Sequence, residues 1–124
     1  MPKFEKVALL LVVALVLGGT ARGGEKPVTV KGYVIDSSCT FVKSLKKPIS
    51  SKCAVECAKA GSPLVILTDD GTIYWPISRD VPASGQNERL LPFAGDRVAV
   101  TGTVYTHGGS RAIVMNKIEK AGAN

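Results

Sequence analysis

The chain has 124 residues, a length that suits a single domain, and it carries a formal charge of +6 with three cysteines and one histidine. No glycine-rich phosphate loop is present, and one histidine offers no acid–base pair beside a nucleophile, so we expect a protein that is not an enzyme. The charge is too small to indicate a nucleic-acid partner, and we expect none.

The first 23 residues have the pattern of a secretory signal peptide. Lys3 and Lys6 precede an uncharged apolar run over residues 7–17, and small residues lead to Ala21. This run is shorter than the about 20 residues that a membrane-spanning helix needs. We therefore predict an exported protein, periplasmic or secreted, with no membrane span after cleavage. Residues 24–124 would form its single domain, with an ordered core over residues 28–119.

The remaining sequence predicts five strands separated by turn signals. Residues 28–36 alternate between apolar and polar side chains, and four later segments are rich in strand-forming residues. Gly32 and Gly102 each stand at the centre of a similar pattern, V-K-G-Y-V and V-T-G-T-V, where a glycine is typical of a bend in a curled sheet. The four later strands are predicted over residues 64–68, 72–77, 97–105 and 111–119.

Two helical segments interrupt this series. Ser50 or Ser51 can cap a helix that starts near Lys52, and Gly61 is placed to end it. This helix belongs to a cysteine-containing insertion over residues 37–62, whose first part shows no sustained periodicity. A shorter helical turn is predicted after Asn87 as its N-cap, with Leu90 and its neighbours plugging the core.

The order of elements predicts a mainly β fold: a five-stranded, OB-like Greek-key barrel with one short helix inserted after strand 1 and a short helical turn before strand 4. The pattern A-G-D-x-V-x-V-T-G-x-V, from Ala94 onward, resembles the last third of many bacterial OB-type domains. Residues 28–119 also resemble small exported bacterial proteins in which a Cys-x3-Cys helix lies between the first two strands. The resemblance implies a fold and no particular activity.

Chemistry is concentrated in the three cysteines. Cys53 and Cys57 share a face at helical spacing, and the segment after strand 1 can fold Cys39 over that face. In an exported protein we expect Cys39 to form a disulfide with Cys53 or Cys57, which would stabilise the insertion by about 3 kcal/mol. The alternatives are a copper or zinc site of three thiolates and a thiol-redox partner. If the disulfide forms, we expect the protein to be an exported, non-enzymatic module that binds an unknown ligand, with its insertion held by that disulfide.

Four further residues are weaker candidates. His107 lies in a predicted turn and Met115 on the last strand, and either could supply another metal ligand. Tyr74 and Trp75 are neighbours on a strand, so they point to opposite faces. We expect Trp75 to fill the barrel and Tyr74 to lie at its rim, the alternative being an exposed stacking surface for a ligand from the envelope or the cell exterior.

Overall fold

The computed structural model of the protein describes residues 26–44 and 49–122, so the predicted signal peptide lies outside the described residues. Alternating or continuous apolar runs form five strands, and each run ends at a turn. Their bounds are Val28–Asp36 (β1), Leu64–Thr68 (β2), Ile73–Ile77 (β3), Arg97–His107 (β4) and Ser110–Lys120 (β5). The chain is therefore mainly β, as predicted.

The five strands form one mixed sheet that closes in a ring in the order β1-β2-β3-β5-β4. β1 is antiparallel to both β2 and β4, and β4 and β5 form the longest hairpin, joined by Gly108 and Gly109. Both glycines have positive φ, as a two-residue turn between twisted strands requires. The pairing of β3 with β5 is the parallel one.

The two strand glycines mark places where backbones approach closely. A Cβ on Gly32 would lie 2.6 Å from the carbonyl oxygen of Leu67, and one on Gly102 would collide with the carbonyl oxygen of Val114. The β4–β5 register also shifts between Thr101 and Gly102. The predicted irregularity thus coincides with a register shift in β4.

Inside the ring lies an aliphatic cluster that includes Val34, Ile66, Val100 and Ile113, all without measurable exposure. A short helix, Asn87–Leu90 (α3), and a 3-10 turn, Leu91–Phe93, follow the loop after β3. Leu90 is fully buried in this cluster, and Leu91 and Phe93 pack against it. The prediction that these residues plug the core is confirmed.

The insertion between β1 and β2 contains two helices, Ser37–Val42 (α1) and Ser51–Lys59 (α2). α2 begins after Ser50, whose hydroxyl accepts a hydrogen bond from the Cys53 N–H at 3.2 Å, and it is followed by Gly61 with φ of +100°. Both ends were predicted. α1 was not, because six residues are too few to show a helical period.

A second apolar cluster lies on the outer face of the sheet beneath α2. Ala54 is fully buried there against Ile35 and Val65. Gly95, with φ of +81°, brings the turn before β4 so close to Ser51 that a Cβ would collide with it. These contacts fix the position of α2 relative to the ring.

Two sequence expectations are wrong in detail. Asn87 does not cap α3: its side chain accepts from the Leu64 N–H at 2.9 Å and donates to the Ser62 carbonyl at 2.8 Å. Trp75 does not fill the ring, because Tyr74 pairs with the inward-facing Ile66 and packs against the inner cluster. Trp75 therefore faces outward, against the second cluster.

Among residues 26–44 and 49–122, no helix is long and apolar enough to cross a membrane.

Candidate metal centre

Asp36, the last residue of β1, organises the start of the site. It is only 1% exposed, and its carboxylate accepts hydrogen bonds from the N–H groups of Ser38 at 3.3 Å and Cys39 at 3.2 Å. These bonds cap α1 and place Cys39 in its first turn. The Ser62 hydroxyl donates a third, short hydrogen bond to the same carboxylate.

Ser62 connects this cap to the other cysteine helix. Its N–H donates to the carbonyl oxygen of Cys57 at 3.0 Å, while its hydroxyl contacts Asp36. Next to it, Pro63 accepts from the Ser37 N–H at 2.9 Å. The end of α2 is thereby held beside the start of α1, which brings Cys57 towards Cys39.

The result is a cluster of three thiols. The sulfur atoms of Cys39, Cys53 and Cys57 all lie within 4.8 Å of one another. Cys39 is buried, whereas Cys53 and Cys57 are half-buried, so the cluster has a closed side and a side that opens towards solvent. The predicted convergence of the three cysteines is confirmed.

The expected disulfide is not formed in this structure. All three cysteines are free thiols, and no pair of their sulfurs approaches the about 2.05 Å of a disulfide bond. The sulfurs are neighbours within 4.8 Å, and none of the three pairs is bonded.

Burial and neighbouring groups keep two of the thiols protonated. Burial first, then the hydrogen bond with Cys53 and the negative charge of Asp36, raise the pKa of Cys39 to about 11. Burial, the hydrogen bond with Cys53 and the Asp36 charge also raise the pKa of Cys57, against a smaller lowering by its hydrogen bond with Cys39. Both residues are therefore neutral near pH 7, and a metal that binds them must displace their protons.

The spacing suits a metal ion. With a metal–sulfur bond of about 2.3 Å, three sulfurs around one ion lie about 4 Å apart, which is within the distances in the cluster. Zinc and copper are both compatible with such a donor set, since both accept thiolate ligands.

The other candidate ligands are not part of the cluster. Within the described residues, the group of neighbouring histidine, cysteine and acidic side chains contains the three cysteines alone. His107 is exposed at the end of β4, and Met115 is buried in the inner cluster. Both oxygens of Asp36 already accept hydrogen bonds, which leaves that carboxylate to position the site.

Sequence reasoning did not identify Asp36 and Ser62 as part of this site. A helix-capping aspartate three residues before Cys39 was the available signal for Asp36. The contact with Ser62 spans 26 residues and follows only from the packed structure.

Neither family models, curated proteins nor solved structures provide a match to this chain.

Proposed function

We propose that the protein binds a thiophilic metal ion, copper(I) first of all, through the thiolates of Cys39, Cys53 and Cys57. The observation that carries this proposal is the mutual approach of three free cysteine sulfurs to within 4.8 Å. Soft thiolate ligands favour copper(I), which is satisfied by three of them. Zinc in a structural site takes four ligands, and the cluster supplies three from the described residues.

The half-buried position of Cys53 and Cys57 supports binding with exchange. A metal held there keeps one side accessible to an incoming thiol or thioether, while Cys39 anchors the opposite side. The raised pKa values of Cys39 and Cys57 argue against these two thiols as redox nucleophiles, because such a nucleophile needs an easily formed thiolate. Binding without catalysis is the activity we propose.

The setting of this activity is also a proposal. The signal-peptide pattern of residues 1–23 supports export to the periplasm or the cell exterior. The order β1-β2-β3-β5-β4, with β3 parallel to β5 and a short helix between β3 and β4, supports an OB-like Greek-key barrel. In the oxidising conditions of such a compartment, metal-free thiols this close would be open to disulfide formation, so bound metal and a disulfide are alternative states of the cluster.

The proposal can be tested by anaerobic titration with copper(I) against a chromophoric competitor. The protein used is a chain that begins at Gly24, which retains every described strand and helix. We expect one copper per chain, tighter retention of copper(I) than of zinc, and loss of this binding in the double variant Cys53→Ser, Cys57→Ser. His107→Ala and Met115→Leu are the controls and are expected to bind as the wild type does. Equal copper contents in the wild type and the double cysteine variant would overturn the proposal.

A further inference from the structure

A different part of the insertion exposes large apolar side chains. Phe41 and Val42, the last two residues of α1, are 60% and 81% exposed, and the exposed Lys43 follows them. We call these three residues the apolar tip. Single exposed apolar side chains are common on protein surfaces, whereas adjacent ones form a patch of the kind that marks interaction sites, and here two lie next to each other.

The tip continues into an aromatic pair. The ring of Phe41 stacks on Trp75 with 6.2 Å between ring centroids and 20° between ring planes. Trp75 is half-buried against the outer cluster, so it supports Phe41 from the body of the protein. Aromatic side chains beside apolar and basic ones are typical of surfaces that enter the headgroup region of a bilayer.

Basic residues are distributed unevenly along the chain, and their excess over acidic residues lies in the same insertion. Residues 37–62 contain five lysines and one glutamate, whereas the rest of residues 24–124 contains eight basic and eight acidic residues. The net positive charge of the domain therefore belongs to the insertion. Among its described lysines, Lys43, Lys52 and Lys59 are all exposed.

We propose that the apolar tip docks the protein on an anionic phospholipid surface. Projecting side chains at a helix end need a matching pocket in a protein partner, whereas a fluid bilayer interface accommodates them without one. The exposed lysines of the insertion, Lys43 in the tip and Lys52 and Lys59 on α2, supply the attraction to anionic headgroups, which extends over about a Debye length. The proposal is independent of metal binding, although Cys39 lies two residues before Phe41 and would approach the membrane with it.

The only tryptophan of the chain makes this docking measurable, since Trp75 stacks on the tip itself. The chain beginning at Gly24 is mixed with vesicles of phosphatidylcholine in which roughly one lipid in three is phosphatidylglycerol, and with pure phosphatidylcholine vesicles. We expect a blue shift of Trp75 fluorescence and quenching by brominated acyl chains with the anionic vesicles, both weakened by salt, and neither with the neutral ones.

Two exposed valines give a matched pair of variants. Val42→Ser removes an apolar side chain from the tip, whereas Val81→Ser removes one that is 96% exposed in the loop after β3. We expect Val42→Ser to weaken vesicle binding about tenfold and Val81→Ser to leave it unchanged. Lys43→Gln should weaken it about fivefold.

Several results would overturn the proposal. The first is absence of wild-type binding to the anionic vesicles, and the second is equal binding by the Val42→Ser and Val81→Ser variants. The third is binding to soluble poly-glutamate in place of vesicles, a result that would make an acidic protein the partner of the tip. Unchanged thermal unfolding of Val42→Ser excludes misfolding as the cause of a loss. The variant Cys53→Ser, Cys57→Ser should still bind vesicles, which separates this proposal from the metal site.

Discussion

At the scale of single residues, Asp36 is the side chain that holds the two cysteine helices together. One buried carboxylate receives two N–H groups of α1 and the hydroxyl of Ser62, so it connects the start of one cysteine helix to the end of the other. A buried acceptor with three donors is costly to remove, because the donors are left without partners.

We predict that Asp36→Ala lowers the free energy of unfolding by about 2 kcal/mol or more. Ser50→Ala is the control: it removes the cap of α2, whose single side-chain hydrogen bond is exposed, and should cost about 1 kcal/mol or less. Urea unfolding of the metal-free chains measures both. An Asp36→Ala variant no less stable than Ser50→Ala would show that the connection to Ser62 contributes little.

The second residue-scale prediction concerns pH. The pKa of Cys39 is about 11 in the folded chain against an ordinary value of 9.0, so between these values the unfolded chain has released a proton that the folded chain retains. Stability therefore falls as pH rises from about 9 to about 11 and is fully retained below pH 9. Cys57 acts in the same direction.

Urea midpoints of the metal-free, reduced protein across this range test the expectation. The Cys39→Ser variant serves as the reference, since it keeps the other groups that titrate in this range. We expect a shallower decline for the variant, and parallel curves for the two chains would contradict the assignment to Cys39.

At the scale of elements, the strands were predictable and the helices only partly so. Alternation, one continuous apolar run and turn residues gave all five strands. A strand with a single covered face has a period of two, whereas β2, covered inside the ring and under α2, is apolar on both faces. α1 escaped prediction because its only local signal is Asp36 as N-cap. The i,i+4 spacing of Cys53 and Cys57 was sufficient to align them, but the direction from which Cys39 approaches depends on the packing of α1.

Tyr74 and Trp75 face the opposite ways from those expected, which shows what the alternation of side chains along a strand cannot predict. The pattern establishes that the two side chains face opposite ways, and it does not say which one faces inward. That choice follows from the cross-strand pairing of Tyr74 with Ile66, which lies inside the ring. Only the three-dimensional register of β2 and β3 contains this information.

An element-scale prediction uses the strand glycines. Gly102→Ala should destabilise the protein by about 2 kcal/mol or more, because the added Cβ would meet the backbone carbonyl of Val114, which cannot move without breaking the β4–β5 ladder. Gly85→Ala is the matched change at a position with open space, and it should be neutral or slightly stabilising. Thermal unfolding of the two variants provides the comparison, and equal midpoints would refute the prediction.

At the scale of the whole molecule, a metal bound as proposed would join the two helices of the insertion to each other. An ion held by Cys39 of α1 and by Cys53 and Cys57 of α2 would bind the folded chain selectively, because the three sulfurs are already neighbours there. Ligands selective for the folded state stabilise it by mass action.

We therefore predict that copper(I) at about a hundredfold excess over its dissociation constant adds about 3 kcal/mol of stability. For a domain of this size, this corresponds to a rise in Tm of roughly 10 °C or more. Calorimetry with and without the metal tests this, with the Cys53→Ser, Cys57→Ser chain as the control. An equal rise in that control would mean that copper acts elsewhere.

The pairing of β1 with β4 also has a consequence for the order of folding. Val28 and Gly102 are partners although they lie 74 positions apart in the sequence, so β1 can pair with β4 only after most of the chain has been synthesised. The hydrogen bonds that bring the cysteines together join residues 36–63, so the cluster can assemble before the ring closes. If the cluster binds metal as proposed, metal ions and oxidants would compete for the same three thiols from that early stage onward.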